Sequence, residues 1–195
     1  RPLGFSRLTL QGLICCAGIG CCAAMSMPQV HIVPYVGDLD IAAARGAEML
    51  ALMLGFGVIS RLTSGWISDR IGGLRTLLLG SVAQCLVLAA FMLAEELTTF
   101  YALSVAFGLA QGGIVPSYAM IIRRYFPAGE AAWRISLALL FTVIGMALGG
   151  WMAGALYDLT GSYTISFLNA IGFNLMNMAI ALTLLRRHRR RHSRV

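Results

Sequence analysis

The feature that most constrains this chain is a sixfold alternation of apolar runs, each long enough to cross a bilayer, with short charged turns. A spanning helix needs roughly 20 apolar residues. Runs at 8–35, 47–68, 74–94, 99–122, 134–157 and 163–185 use most of the 195 residues. Charged residues make up 12% of the chain, against about 25% in soluble domains, so a soluble core with an appended anchor is excluded. Within hydrocarbon each backbone amide must find its partner inside the protein, which makes runs of this length helices. The expected class is an all-α membrane protein. A single six-helix transmembrane domain covers 1–195 and closes on an arginine-rich tail at 186–195.

Charge sets the expected orientation. No lysine occurs, so all 15 basic residues are arginines, against 8 acids. With six spans, both termini and the turns after the second and fourth helices share one side. That side carries thirteen arginines: Arg1, Arg7, Arg70, Arg75, Arg123, Arg124, Arg134 and six in the tail. The other side carries Arg45 with Asp38, Asp40, Glu48, Glu95, Glu96 and Asp158. The positive-inside rule then puts both termini in the cytoplasm of a protein integral to a cell membrane, plasma or inner. The chain opens on Arg1, not methionine, as a fragment or processed piece would. No cleavable signal is visible near the start, so the first run is expected to be retained.

One arginine breaks the pattern. Arg61 lies inside the second apolar run, eight residues before Asp69, hence about 12 Å up the helix from the charged turn. A cation at that depth costs at least about 2.5–3.5 kcal/mol and demands a role. Its planar guanidinium matches a carboxylate with two parallel hydrogen bonds. A structural ion pair is the alternative, but no acid of this chain is expected at a comparable depth. The four cysteines of the first run, Cys15, Cys16, Cys21 and Cys22, read as small packed hydrophobes, because adjacent helical positions point about 100° apart and cannot converge on one ion. No metal and no cofactor is expected.

The residues from Gly65 through Trp66, Ile67, Ser68, Asp69, Arg70, Ile71, Gly72, Gly73 and Leu74 to Arg75 resemble the loop motif of the major facilitator superfamily. In that motif a glycine is followed after three residues by aspartate, a basic residue, a further glycine and trailing basic residues. Gly73 stands where the first trailing basic residue is usual, which resembles the copy in the second half of such carriers. The segment from Ala153 to Tyr163, with its Leu156-Tyr157-Asp158-Leu159-Thr160-Gly161 turn, is similar to the turn after their eleventh helix. His31-Ile32-Val33-Pro34-Tyr35, then Gly37-Asp38, then Arg61 four residues before Gly65, looks like the monocarboxylate and oxalate:formate branch. The resemblance implies the C-terminal half of a two-half transporter built from inverted three-helix repeats, with about six helices before Arg1. Gly20 then Pro28 in the first run, and Gly108 then Pro116 in the fourth, share an eight-residue step expected to mark that repeat.

By resemblance Arg61 faces a central cavity and pairs with a substrate carboxylate. Gly65, Asp69, Arg70, Gly72 and Arg75 form the expected gating motif, since exposed ion pairs of about 0–1 kcal/mol break and reform readily. His31, near the outer third of the first helix, is a candidate for hydrogen-bonding substrate or carrying a proton. Gln111 and Tyr118 are seven residues apart, hence expected on one face of the fourth helix, which the resemblance makes cavity-lining. Asn169, Asn174 and Asn177 read as interhelical hydrogen-bonders. Two departures stand out: Gly57 replaces the aspartate that eukaryotic monocarboxylate carriers have four residues before the arginine, and the fifth helix lacks the second cation of oxalate carriers. A singly charged anion fits these residues best.

The expected function is secondary active transport of a small organic anion such as a monocarboxylate by alternating access. The implied partners are that anion, a coupled proton as an optional second cargo, the lipid bilayer and an N-terminal six-helix half. Nucleic acid is not among them. The alternatives are a major facilitator carrier for an uncharged or drug-like solute, a six-helix intramembrane enzyme and an assembly subunit. Against an enzyme, Leu62-Thr63-Ser64-Gly65 lacks the first glycine of a Gly-x-Ser-Gly site, and all four aspartates fall at turns.

Overall fold

A computed structural model describes residues 2–192; Arg1 and residues 193–195 of the tail lie outside them. After a short 3-10 turn, the chain forms α1 (Arg7–Gly37), α2 (Ala43–Ile71), α3 (Gly73–Phe91), α4 (Leu97–Gln111), α5 (Ile114–Tyr125), α6 (Ala128–Thr160) and α7 (Tyr163–His192). Helices α4 and α5 together make one span, so the described chain has six segments long and apolar enough to cross a membrane. They pack as two three-helix halves, one of α1–α3 and one of α4–α7.

Local chemistry sets the ends. The Ser6 hydroxyl accepts from the Thr9 amide at 3.1 Å and caps α1, satisfying one of the free amides of its first turn. Helix α2 stops at Gly72, whose φ of +88° suits glycine and turns the chain directly into α3. Gly161, at φ +66°, ends α6 with its amide on the Tyr157 carbonyl at 2.7 Å.

Three differences from the expected helices are physical. The fourth run is broken at Gly112-Gly113, where two residues of low helix propensity are followed by Pro116, which cannot donate to the Gly112 carbonyl. Helix α6 begins at Ala128, about two turns before the first expected residue. The tail from Arg186 to His192 continues α7 as helix, with the Arg187 guanidinium 3.9 Å from the Phe5 ring centre.

Two seams of small residues hold the bundle. In α2 only a narrow stripe is buried: Gly46, Met49, Met53, Gly57, Ser60, Ser64 and Ser68. It lies on α4, where a side chain at Gly108 would meet the Met53 carbonyl at 2.6 Å and one at Gly112 would collide with the Gly57 carbonyl. Ser60 donates its hydroxyl to the Leu109 carbonyl at 2.6 Å across this seam. In α6, Gly145 and Gly149 do the same against α1, with the Ile19 carbonyl 2.7 Å from a side chain added at Gly145. Such close backbone approach is what small residues supply where lipid removes the hydrophobic drive.

These seams carry the internal symmetry. Exchanging the first triplet of spans with the second maps the α2–α4 seam onto the α1–α6 seam. The eight-residue step does not mark that repeat: Gly20 abuts the Phe173 carbonyl of α7, whereas Gly108 abuts α2, and those contacts are not symmetry equivalents.

Substitution in a seam separates two helices that nothing else holds as closely. Gly149→Val is expected to destabilise the protein by about 1–3 kcal/mol, read as a lower unfolding temperature in detergent. Gly172→Val, with open space around it, should show only the smaller loss from helix propensity.

Candidate functional site

Because α2 spends its narrow stripe on α4, the rest of its circumference is uncovered. Leu54, Val58 and Leu62 are 53%, 56% and 75% exposed, and Arg61 is exposed among them. Helix α6 is similar, with Leu140, Val143 and Trp151 outward. Only 22% of the most apolar stretch of each of these two spans is buried, against 67% in α1. Among the described residues, Arg61 has no hydrogen-bond acceptor and no acidic partner. The continuous helix from Arg61 to Asp69 keeps the depth of about 12 Å. Gly57, one turn earlier, points elsewhere: a side chain there would lie 3.5 Å from Gln111 Nε2.

The other candidate side chains are engaged within the bundle. His31 Nε2 lies 2.8 Å from the Gly150 carbonyl of α6, with its ring beside Gly154. Its ring sits 5.7 Å from that of Tyr163. Gln111 Oε1 accepts from Gln29 Nε2 at 2.6 Å, and Gln111 Nε2 donates to the Met53 carbonyl at 3.5 Å, joining α1, α2 and α4. Tyr118 is fully buried and donates to Asn177 Oδ1 at 3.0 Å. Asn177 donates in turn to Ser81 Oγ at 2.7 Å, and Asn174 to the Ser81 carbonyl at 2.8 Å. Gln111 and Tyr118 lie on either side of the break at Gly112-Gly113 and bond different neighbours, Gln111 reaching α1 and α2 and Tyr118 reaching α7. The interhelical role read for Asn174 and Asn177 is present.

At the turn, Asp69, Arg70 and Arg75 are all exposed and make no ion pair with one another. Arg70 instead lies 4.3 Å over the Trp66 ring. Gly72 is constrained by its φ of +88°, and the Arg124 guanidinium lies beside it. Gly65 has open space around it.

The arrangement matches a family. Residues 12–195 match the model of the Major Facilitator Superfamily. The chain belongs to that superfamily. Its fold is a transport fold and not an enzyme fold, and it is an integral membrane protein. Among related superfamily members, "Monocarboxylate transporter 13" of Rattus norvegicus is 31% identical over 160 residues, covering 81% of this chain and 37% of the relative. The Bos taurus protein of the same name is 30% identical over 160 residues, covering 81% and 38%. "Probable anion transporter 7" of Oryza sativa subsp. japonica is 30% identical over 125 residues, covering 63% and 28%. The chain thus spans under two-fifths of the length of these relatives.

One polar cluster of this superfamily member was not read from the sequence. Glu130 accepts from Arg7 Nη1 and Arg134 Nε, both at 2.9 Å. Gln11 closes the loop by donating to the Arg134 carbonyl at 3.1 Å. The Arg134 guanidinium lies 4.2 Å over the Phe126 ring and 4.3 Å over that of Trp133. The spacing of Glu130 and Arg134, four residues apart, was the available signal. Its partner on α1, 123 residues away, had none.

The buried network makes a stability prediction. Asn177→Ala leaves Tyr118 and Ser81 without their partner and is expected to cost about 0.6–1.7 kcal/mol. Tyr118→Phe combined with it should cost less than the sum of the two single changes, as a double-mutant cycle of unfolding would show.

Proposed function

We propose that this chain is the C-terminal six-helix half of a secondary transporter, and that Arg61 binds the carboxylate of a small organic anion such as a monocarboxylate. The observation carrying the proposal is an unpaired arginine on the uncovered apolar face of α2. Left against lipid, that charge would be costly. Covered by a second six-helix bundle, the same face lines an interior path in which a guanidinium meets an anion. The names of the rat, bovine and rice relatives point to the same substrate class.

In this proposal His31, Gln111 and Tyr118 serve the site by fixing α1, α4 and α5 around it, with Gln29–Gln111 nearest to Gly57 and so to the Arg61 segment. Gly57 in place of an acid leaves a single fixed charge, which suits a monoanion. Asp69, Arg70, Gly72 and Arg75 gate the cytoplasmic end, where the open surface at Gly65 receives the other half as the two bundles rock. The arginine excess on this side supports a cytoplasmic location of both termini, in a plasma or inner membrane on this reading. A coupled proton would need an acceptor outside the Arg61 segment.

The test is uptake by the full-length carrier. Arg61→Gln is expected to abolish uptake of a labelled monocarboxylate at unchanged surface expression, and Arg61→Lys to restore only part of it, because the two-pronged geometry is lost. Uptake by Arg61→Gln with unchanged KM would overturn the assignment and favour an uncharged cargo.

A further inference from the structure

A second feature lies where the α2–α3 turn meets α5 and α7. A cavity of about 250 Å³ at the α2–α3 turn is lined by Arg70, Arg75 and Arg124, with Asp69 and His188. Beside it runs an apolar groove of about 480 Å³ along α3, over Leu78, Leu79, Val82, Ala83 and Leu86, ending at Arg75 and Arg189. Arg75 and Leu185 line both, so the polar cavity and the apolar groove adjoin. Leu79 and Leu86 are 63% and 66% exposed, while Leu185 forms a buried floor.

Three arginines against one carboxylate give the cavity a net positive charge. Among the described residues, Arg70, Arg75, Arg124 and Arg189 have no acidic partner within ion-pair distance. Arg75 also sits in the first turn of α3, the end of a helix where a cation is disfavoured unless an anion compensates it. From Arg75 to Leu86 the helix rises about 16 Å, close to the roughly 15 Å hydrocarbon depth of one leaflet.

We propose that the adjoining cavity and groove bind one anionic phospholipid, its phosphate on Arg75 and Arg189 and one acyl chain along the α3 groove. The remaining cavity accommodates a hydroxyl-bearing headgroup, whose hydroxyl donates to Asp69. Occupancy would couple the turn between α2 and α3 to lipid composition, because Arg75 belongs to both.

Native mass spectrometry of the full-length protein in mild detergent tests this, with phosphatidylglycerol and phosphatidylcholine as probes. Two arginines near a bilayer surface predict a preference for phosphatidylglycerol of roughly 30-fold. Arg75→Gln with Arg189→Gln should remove the preference, and Ala83→Trp should remove it by filling the groove with both arginines intact. Arg123→Gln, exposed and outside both cavities, should keep it. Retained preference in the double variant overturns the site. Equal loss in Arg123→Gln reduces it to diffuse surface charge, and displacement by glycerol phosphate at equal concentration reduces it to a free-phosphate site; either result overturns the proposal.

Discussion

The contact on which the structure depends is backbone against backbone along two seams, α2 on α4 and α1 on α6. Both are rich in glycine, serine and alanine, with Met49 and Met53 in the first and Thr142 in the second, and each uses only a narrow strip of α2 or α6. A strip that narrow leaves most of the surface of α2 and α6 uncovered. Arg61 is exposed for that reason, and α2 and α6 each present an uncovered apolar face. In this superfamily member the packing chemistry therefore determines where the charge can go.

Polar groups away from that surface divide into two sets with different work. Tyr118, Asn177, Asn174 and Ser81 tie α5, α7 and α3 in the dry interior, where a polar atom without a partner is costly. Arg7, Glu130, Arg134 and Gln11 tie the first turns of α1 and α6 at the arginine-rich end, beside the α1–α6 seam. Neither set reaches Arg61. In the proposed transport cycle the bundle moves as a body while Arg61 stays free to exchange partners.

The number of spans was legible because length and hydropathy in a bilayer are local properties, and the alternation of arginines and acids agreed with them at every turn. Arg61 was legible for the same reason: a cation inside an apolar run needs no knowledge of the fold to be noticed. The break at Gly112-Gly113 was signalled by its own residues together with Pro116, and it separates Gln111 from Tyr118. Which neighbours those two side chains bond, α1 and α2 for one and α7 for the other, was not legible from their seven-residue spacing. The Glu130–Arg7 contact and the direction of Gly57 depend on which helices become neighbours, and the periodicity of one helix carries no information about that. The internal repeat was legible in kind but not in register, because the seams that carry it are defined by contacts between helices.

The central claim is that the Leu54–Val58–Arg61–Leu62 face of α2 lines an aqueous path and does not face lipid. Thiol labelling measures this most directly in a full-length carrier whose own cysteines have been replaced. Val58→Cys is expected to react with a hydrophilic methanethiosulfonate reagent, and a transported carboxylate should slow that reaction. No reaction at Val58→Cys, together with quenching of a fluorophore there by a lipid-borne quencher, would place the face against the bilayer and contradict the account.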